Sequence, residues 1–124
     1  MPTDFEVRLE DQPGTVAEMA EALGRAGINM LGFCGTSEQG EGRAHIAVDD
    51  REGTHRALED AGGRLGETQQ VVLVDIEDRP GALGELTRKI ANAGINLSVM
   101  YVGTGNRMII GAGDIDKLKE VVGQ

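Results

Sequence analysis

The sequence contains no tryptophan and only three aromatic residues, Phe5, Phe33 and Tyr101. Its core must be built from Val, Ile, Leu, Met and Ala, and no aromatic side chains are left over to stack on bases as single-stranded nucleic-acid binding demands. Positive charge is also short: 12 Lys and Arg face 21 Asp and Glu, a formal charge of -9 at pH 7. That balance repels phosphate backbones and anionic headgroups, so neither nucleic acid nor a membrane surface is an expected partner. One cysteine, Cys34, excludes an internal disulfide and cannot hold a structural zinc ion alone. Within Leu31-Gly32-Phe33-Cys34-Gly35 it reads as a small buried hydrophobe. No apolar run exceeds four residues, the length of Val71 to Val74, against roughly 20 residues for a bilayer span. The first residues, Met1 to Glu6, lack the basic stretch and apolar core of a signal peptide. The setting this predicts is reducing and cytoplasmic.

What the sequence does have is a repeat. Glu10-Asp11-Gln12-Pro13-Gly14 recurs as Glu77-Asp78-Arg79-Pro80-Gly81, and Ala26-Gly27-Ile28-Asn29 as Ala93-Gly94-Ile95-Asn96. Both pairs lie 67 residues apart (78 − 11 and 96 − 29), and Glu18 matches Glu85 at the same offset. Apart from Pro2, every proline belongs to the repeated loop. A chain of 124 residues is one ordinary domain or two very small units that must share a core. The repeat selects the second, with units at 1–69 and 70–124.

Each unit has the same local pattern. Phe5, Val7 and Leu9 alternate with Glu6, Arg8 and Glu10, a period of two that predicts a half-buried strand over 4–10, and 71–77 reads likewise. Val16, Met19, Ala20 and Leu23 fall at i, i+3, i+4 and i+7, and Leu83, Leu86, Ile90 and Ala93 at i, i+3, i+7 and i+10. These are helical stripes, closed by Gly27 and Gly94. Second strands are expected over 28–37 and 95–103, hairpin turns at Gln39 to Gly42 and Gly103 to Asn106, third strands over 43–49 and 107–112, and short helices over 51–61 and 115–122. Asp114 is placed to cap the last helix. The order strand, helix, strand, strand, helix is that of an α+β, ferredoxin-like βαββαβ unit, with antiparallel sheets carrying helices on one face. Aligning Asp114 with Asp50 leaves residues 61–69 without a counterpart, so the second unit is expected to lack a fourth strand or to borrow one. The two sheets are expected to join edge to edge or face to face.

The repeated loops carry the chemistry. An Asp before a helix is a good cap, Pro suits a first helical turn and Gly permits a sharp bend, which is explanation enough for a structural role. The same geometry directs first-turn N–H groups outward, where the helix dipole favours a carboxylate or phosphate. An asparagine amide offers one acceptor and two donors, suited to an amino acid's ammonium and carboxylate, although Asn also shapes corners. If the loop and the start of the Asn strand flank one pocket, two repeats or two chains bring two half-pockets together. The one difference between the loops, Gln12 against Arg79, predicts unequal half-sites with an anionic group nearer Arg79.

Asp-x-Pro-Gly, an apolar helical stripe and Gly-Ile-Asn, twice in register, resemble the ACT domain over nearly the whole chain. The resemblance implies a βαββαβ fold, side-by-side pairing of domains and regulatory binding of small ligands, usually amino acids, at the domain interface. Carried over by position, the ligand contacts fall on Asp11, Gln12, Gly14 and Asn29, and on Asp78, Arg79, Gly81 and Asn96. Residues such as Met30, Leu31, Leu97, Val99 and Tyr101 are placed to line a side-chain pocket but read more simply as sheet core. No catalytic or phosphate-loop motif occurs, and His45 and His55 are the only imidazoles. The expectation is a non-enzyme without metal or cofactor, sensing an amino acid as a homodimer and acting on a regulated enzyme. The alternative is an interaction module with no ligand.

Overall fold

A computed structural model describes residues 1–124. The first unit contains β1 (Thr3–Glu10), α1 (Thr15–Arg25), β2 (Met30–Glu38), β3 (Glu41–Val48), α2 (Arg51–Asp60) and β4 (Arg64–Gln70). It is followed by β5 (Val72–Asp75), α3 (Ala82–Asn92), β6 (Leu97–Gly103), β7 (Arg107–Ala112) and α4 (Ile115–Val122). Seven strands make one antiparallel sheet in the order β4-β1-β3-β2-β6-β7-β5. The first four have the ferredoxin-like order, and β6-β7-β5 retraces the β2-β3-β1 part of it. No strand lies beyond β5, where β4 would stand in a complete second copy.

Local sequence sets the corners. Gly27 and Gly94 take φ of 73° and 74°, and the N–H of Ile28 donates back to the Leu23 carbonyl at 3.0 Å, the left-handed stop expected of these glycines. Gln39 and Gly40, both with positive φ, form the two-residue turn between β2 and β3. Strand β5 is shorter than the expected 71–77 because pairing with β7 ends at Asp75 opposite Arg107.

Alternate residues of each strand face two different cores. On one face, Phe5, Val7, Leu9, Ala44, Ile46 and Val48 pack against Met19, Leu23, Ala57 and Leu58 from α1 and α2. Val72, Met108, Ile110 and Ala112 pack in the same way with Ile90 and Leu118 from α3 and α4. On the other face Leu31 and Ala47 of the first half meet Val71, Tyr101 and Ile109 of the second. The sheet therefore folds over on itself, with helices outside and a third core within. The halves join both edge to edge, at a bridge of Gly32 with Gly103, and face to face. A Cβ on either glycine would overlap the Ile109 side chain, and one on Gly103 would also overlap the Leu31 carbonyl. Leu31 and Tyr101 thus belong to core, as the simpler reading had it, and no helix is long and apolar enough to cross a membrane.

Candidate functional site

The two Asp-x-Pro-Gly loops have the same backbone. Gly14 and Gly81 adopt φ, ψ of 92°, -15° and 90°, -14°, a left-handed geometry that favours glycine. The N–H of residue 12 or 79 donates to the carbonyl two residues earlier at 3.0 Å in both loops, and that of Glu18 or Glu85 to Gly14 or Gly81 at 2.9 and 3.0 Å. In both loops the glycine itself is the N-cap, and no side chain caps the helix. The expected capping role for Asp11 and Asp78 is corrected: each lies three residues before that glycine, too far upstream to serve the first turn. Asp11 instead accepts from the Ser37 hydroxyl, while Asp78 has no hydrogen-bond partner. Asp50 and Asp114, directly before α2 and α4, do cap, accepting from Gly53 at 2.9 Å and Lys117 at 3.0 Å. Two of the four helices are thus closed by carboxylates, and the two behind the repeated loops are left open to an external anion.

Arg79 is not free to receive that anion. Its Nε donates to Glu77 at 2.7 Å and its terminal nitrogens to Glu85 at 3.3 and 2.6 Å. Hydrogen bonds and attraction from Glu85 first and Glu77 second hold the guanidinium pKa above its ordinary value, and Arg79 holds that of Glu85 below the usual carboxylate range. The anionic group expected beside Arg79 therefore meets a cation already neutralised by its own loop.

The asparagines are not where a one-repeat pocket needs them. Strands β1 and β2 run parallel to each other on either side of β3, so Asp11 follows the end of β1 while Asn29 precedes the start of β2. An eight-residue strand separates them, roughly 25 Å at 3.3 Å per residue. Two residues after Asn29 the chain meets the other repeat. The Leu31 carbonyl accepts from the backbone N–H and hydroxyl of Thr104 at 2.9 and 3.2 Å, in the turn between β6 and β7. The next part of that turn, Asn106, accepts from Ile76 at 2.9 Å and lines a cleft of about 210 Å³ with Asp78, Arg79, Leu83 and Val102. Asn96, at the diverging end of β6, lines a different cleft with Gly113, Asp114 and Lys117. The equivalent of the Asp78 cleft in the first repeat measures about 340 Å³ and is lined by Asp11, Gln12, Val16, Phe33, Gly35 and Ser37 among others. Gly35 stands there where the second repeat has Val102.

Residues 70–121 match the family model of the ACT domain. The chain carries an ACT domain. Its first half repeats the loop, the helical stripe, the Gly-Ile-Asn corner and the strand order of that ACT domain. No curated protein sequence matches the chain. Among solved structures it is similar to a protein of Bacteroides thetaiotaomicron, with TM-score 0.83 and 24% identity over 98% of this chain and 85% of that one. The regulatory subunit of aspartate kinase from Thermus thermophilus, in its ligand-free form, follows with TM-score 0.76 and 19% identity over 99% and 91%. That of Thermus flavus has TM-score 0.67 and 16% identity over 99% and 91%. These likenesses establish the shared fold, two repeats in one small chain. The sequence alone pointed to the loops and asparagines but missed the buried Asp4, which joins His45 and Tyr101. An acidic residue in the alternating strand pattern gave no sign of which face would be covered.

Proposed function

We propose that this chain is a non-catalytic regulatory module that binds a free amino acid between its repeats. The observation that carries the reading is the pair of uncapped helix N-termini behind left-handed glycines, set against two helices capped by aspartate in the same chain. An amino-acid carboxylate supplies what α3 lacks, and the unpartnered Asp78 accepts from the ammonium group. Asn29 approaches this site from the first repeat. The corresponding set in the other direction, Asp11, Gln12 and Gly14 with Asn96, is split within one chain and would be completed by a second copy, so ligand binding would favour a homodimer. A two-repeat chain of this fold serves as the regulatory subunit of aspartate kinase in Thermus thermophilus, and by analogy this module would act on a separate enzyme. Division into units of 1–69 and 70–124 and residence in the cytoplasm belong to the same proposal.

A thermal-shift screen of the twenty amino acids tests it. A ligand at about a hundred times its dissociation constant stabilises the native state by roughly 2.7 kcal/mol. A rise in melting temperature with one amino acid or a chemically related few is the expected result. A screen in which none shifts it would favour the alternative, an interaction module with no ligand.

A further inference from the structure

The buried contact of Asp4 with His45 and Tyr101 has a neighbour that the proposed function leaves unused. Cys34, the sole cysteine, is the register partner of His45 across β2 and β3. Both side chains lie on the sheet face turned away from the helices. Ala44 and Ile46, on either side of His45, belong to the helix-covered core, whereas Cys34 packs against the third core, to which Tyr101 belongs. Cβ atoms of directly opposed strand residues lie about 4.5–5.5 Å apart, within reach of a single ion between the side-chain tips. The imidazole is already oriented: its Nδ1 is 2.9 Å from the Asp4 carboxylate. A carboxylate only accepts, so Nδ1 carries the hydrogen and the neutral ring presents an Nε2 lone pair that no other group of the protein uses. Asp4 is fully buried, while the His45 side chain is 31% exposed and leaves a way in from solvent. The Tyr101 ring, its centroid 6.1 Å from that of the imidazole, walls the cluster on the side of the second repeat. Glu6, the partner of His45 on β1, adds a second carboxylate to the same face.

We infer that Cys34 and His45 form a two-donor site for a soft monovalent cation with a closed d shell, Cu(I) foremost, bound between Sγ and Nε2. Thiolate sulfur selects such ions and imidazole accepts them. They are satisfied by two donors in line, whereas zinc takes four. The donor count decides between them here: no three His, Cys, Asp and Glu side chains are grouped to hold an ion, so sulfur and imidazole stand alone. Asp4 is the positioning residue. A ligating imidazole donates its other N–H to a carboxylate, which fixes the tautomer and raises the basicity of the ligating nitrogen. Asp4 accepts that bond out of reach of water. Binding exchanges the thiol proton for the ion and releases the proton to solvent. The bound cation then lies among the negative charges of the thiolate, Asp4 and Glu6. The expectation of a chain without metal is revised on this point, and the amino-acid site, built on other loops, is unaffected by it.

Anaerobic titration of the full chain with Cu(I), buffered by a chromophoric chelator, tests this. One ion per chain is expected, with one sulfur and one nitrogen neighbour in X-ray absorption. Cys34→Ser and His45→Gln should each give the ion up to the chelator, while His55→Gln, on the exposed face of α2, should bind as the parent does. Asp4→Asn should weaken binding by about 10–100-fold, the loss that follows removal of a carboxylate behind a ligating histidine. Should a variant fail to fold by circular dichroism, the parent chain alone decides: bound Cu(I) should shield Cys34 from alkylation and shift the ring protons of His45 but not those of His55. No binding in competition with the chelator, parental affinity in Cys34→Ser, two sulfurs around each ion, or Zn(II) held as tightly as Cu(I) would each overturn the inference.

Discussion

Tyr101 and Asp4, 97 residues apart, share a hydrogen bond of 2.5 Å between the two half-sheets. Asp4 is fully buried and also meets His45 Nδ1 at 2.9 Å, so its carboxylate is held from both repeats at once. A charge taken out of water is tolerable only while it is paired. Tyr101→Phe removes one partner and leaves the apolar packing of the ring in place. Hydrogen bonds to a charged group contribute about 1.5–3 kcal/mol, and urea denaturation should show a loss of that size. A double-mutant cycle with Asp4→Asn should give a coupling of at least about 1 kcal/mol, whereas additive losses would mean that the bond contributes nothing of its own.

The same bond predicts an alkaline limit on stability. Burial first, then the hydrogen bond to Asp4, pushes the Tyr101 phenol above its ordinary value. The unfolded chain ionises its tyrosine near pH 10, while the folded chain does not, so the unfolded state gains from rising pH. Stability from this group is complete below about pH 10 and falls above it, at up to about 1.4 kcal/mol per pH unit until the folded phenol itself ionises. Tyr101 is the sole tyrosine, so the phenolate absorbance of the native protein reports it directly. A native titration at the value of free tyrosine, or the same alkaline slope in Tyr101→Phe, would contradict this.

How the halves fold over each other was only partly legible. The repeat, the helical stripes and the corner glycines Gly27 and Gly94 could be read directly, because they depend on neighbours within one unit. The third core depends on contacts between units. One sequence sign of it is the four-residue apolar run Val71 to Val74: a strand that reads apolar without alternation is buried on both faces, and in β5 Val72 faces α3 and α4 while Leu73 packs against the third core. The grip of Glu77 and Glu85 on Arg79 was legible in pieces. Glu18 and Glu85 matched and Gln12 and Arg79 did not, but only side-chain geometry shows that the acidic pair grips the arginine. The asparagines were legible as a repeat and not as a site, because periodicity does not say which end of the sheet a strand begins at.

Two glycines should answer oppositely to one added methyl group. At Gly103 a Cβ would overlap the Leu31 carbonyl and lie 2.7 Å from the Ile109 side chain, so Gly103→Ala must part the strands that join the repeats. Overpacking of this kind costs about 1–3 kcal/mol. Gly84 lies inside α3 with nothing within 4 Å of its missing Cβ. Gly84→Ala should stabilise by about 0.5–1 kcal/mol through helix propensity and a less disordered unfolded chain. Thermal or urea unfolding of the two variants checks the sign, and a destabilised Gly84→Ala would show that α3 contacts something at that face.

The asparagines distinguish a site within the chain from one between chains. Asn29 precedes the end of β2 that is bonded to the β6–β7 turn, whereas Asn96 stands at the end where β6 and β2 diverge and lines the cleft of Gly113, Asp114 and Lys117. With an amino acid found by the screen, Asn29→Ala should weaken binding at any protein concentration. The cost is about 1 kcal/mol for a neutral hydrogen bond, some fivefold in affinity. Asn96→Ala should weaken it only where the protein is dimeric, since the loop of Asp11 to Gly14 that Asn96 would serve is then supplied by the second copy. Calorimetry run above and below the dimer dissociation constant, with sedimentation to fix the oligomeric state, separates the two. Equal losses in both variants at low concentration would place both asparagines in one chain's site and remove the need for a dimer. No loss in either would remove the asparagines from the site and leave the open ends of α1 and α3 as its whole polar complement.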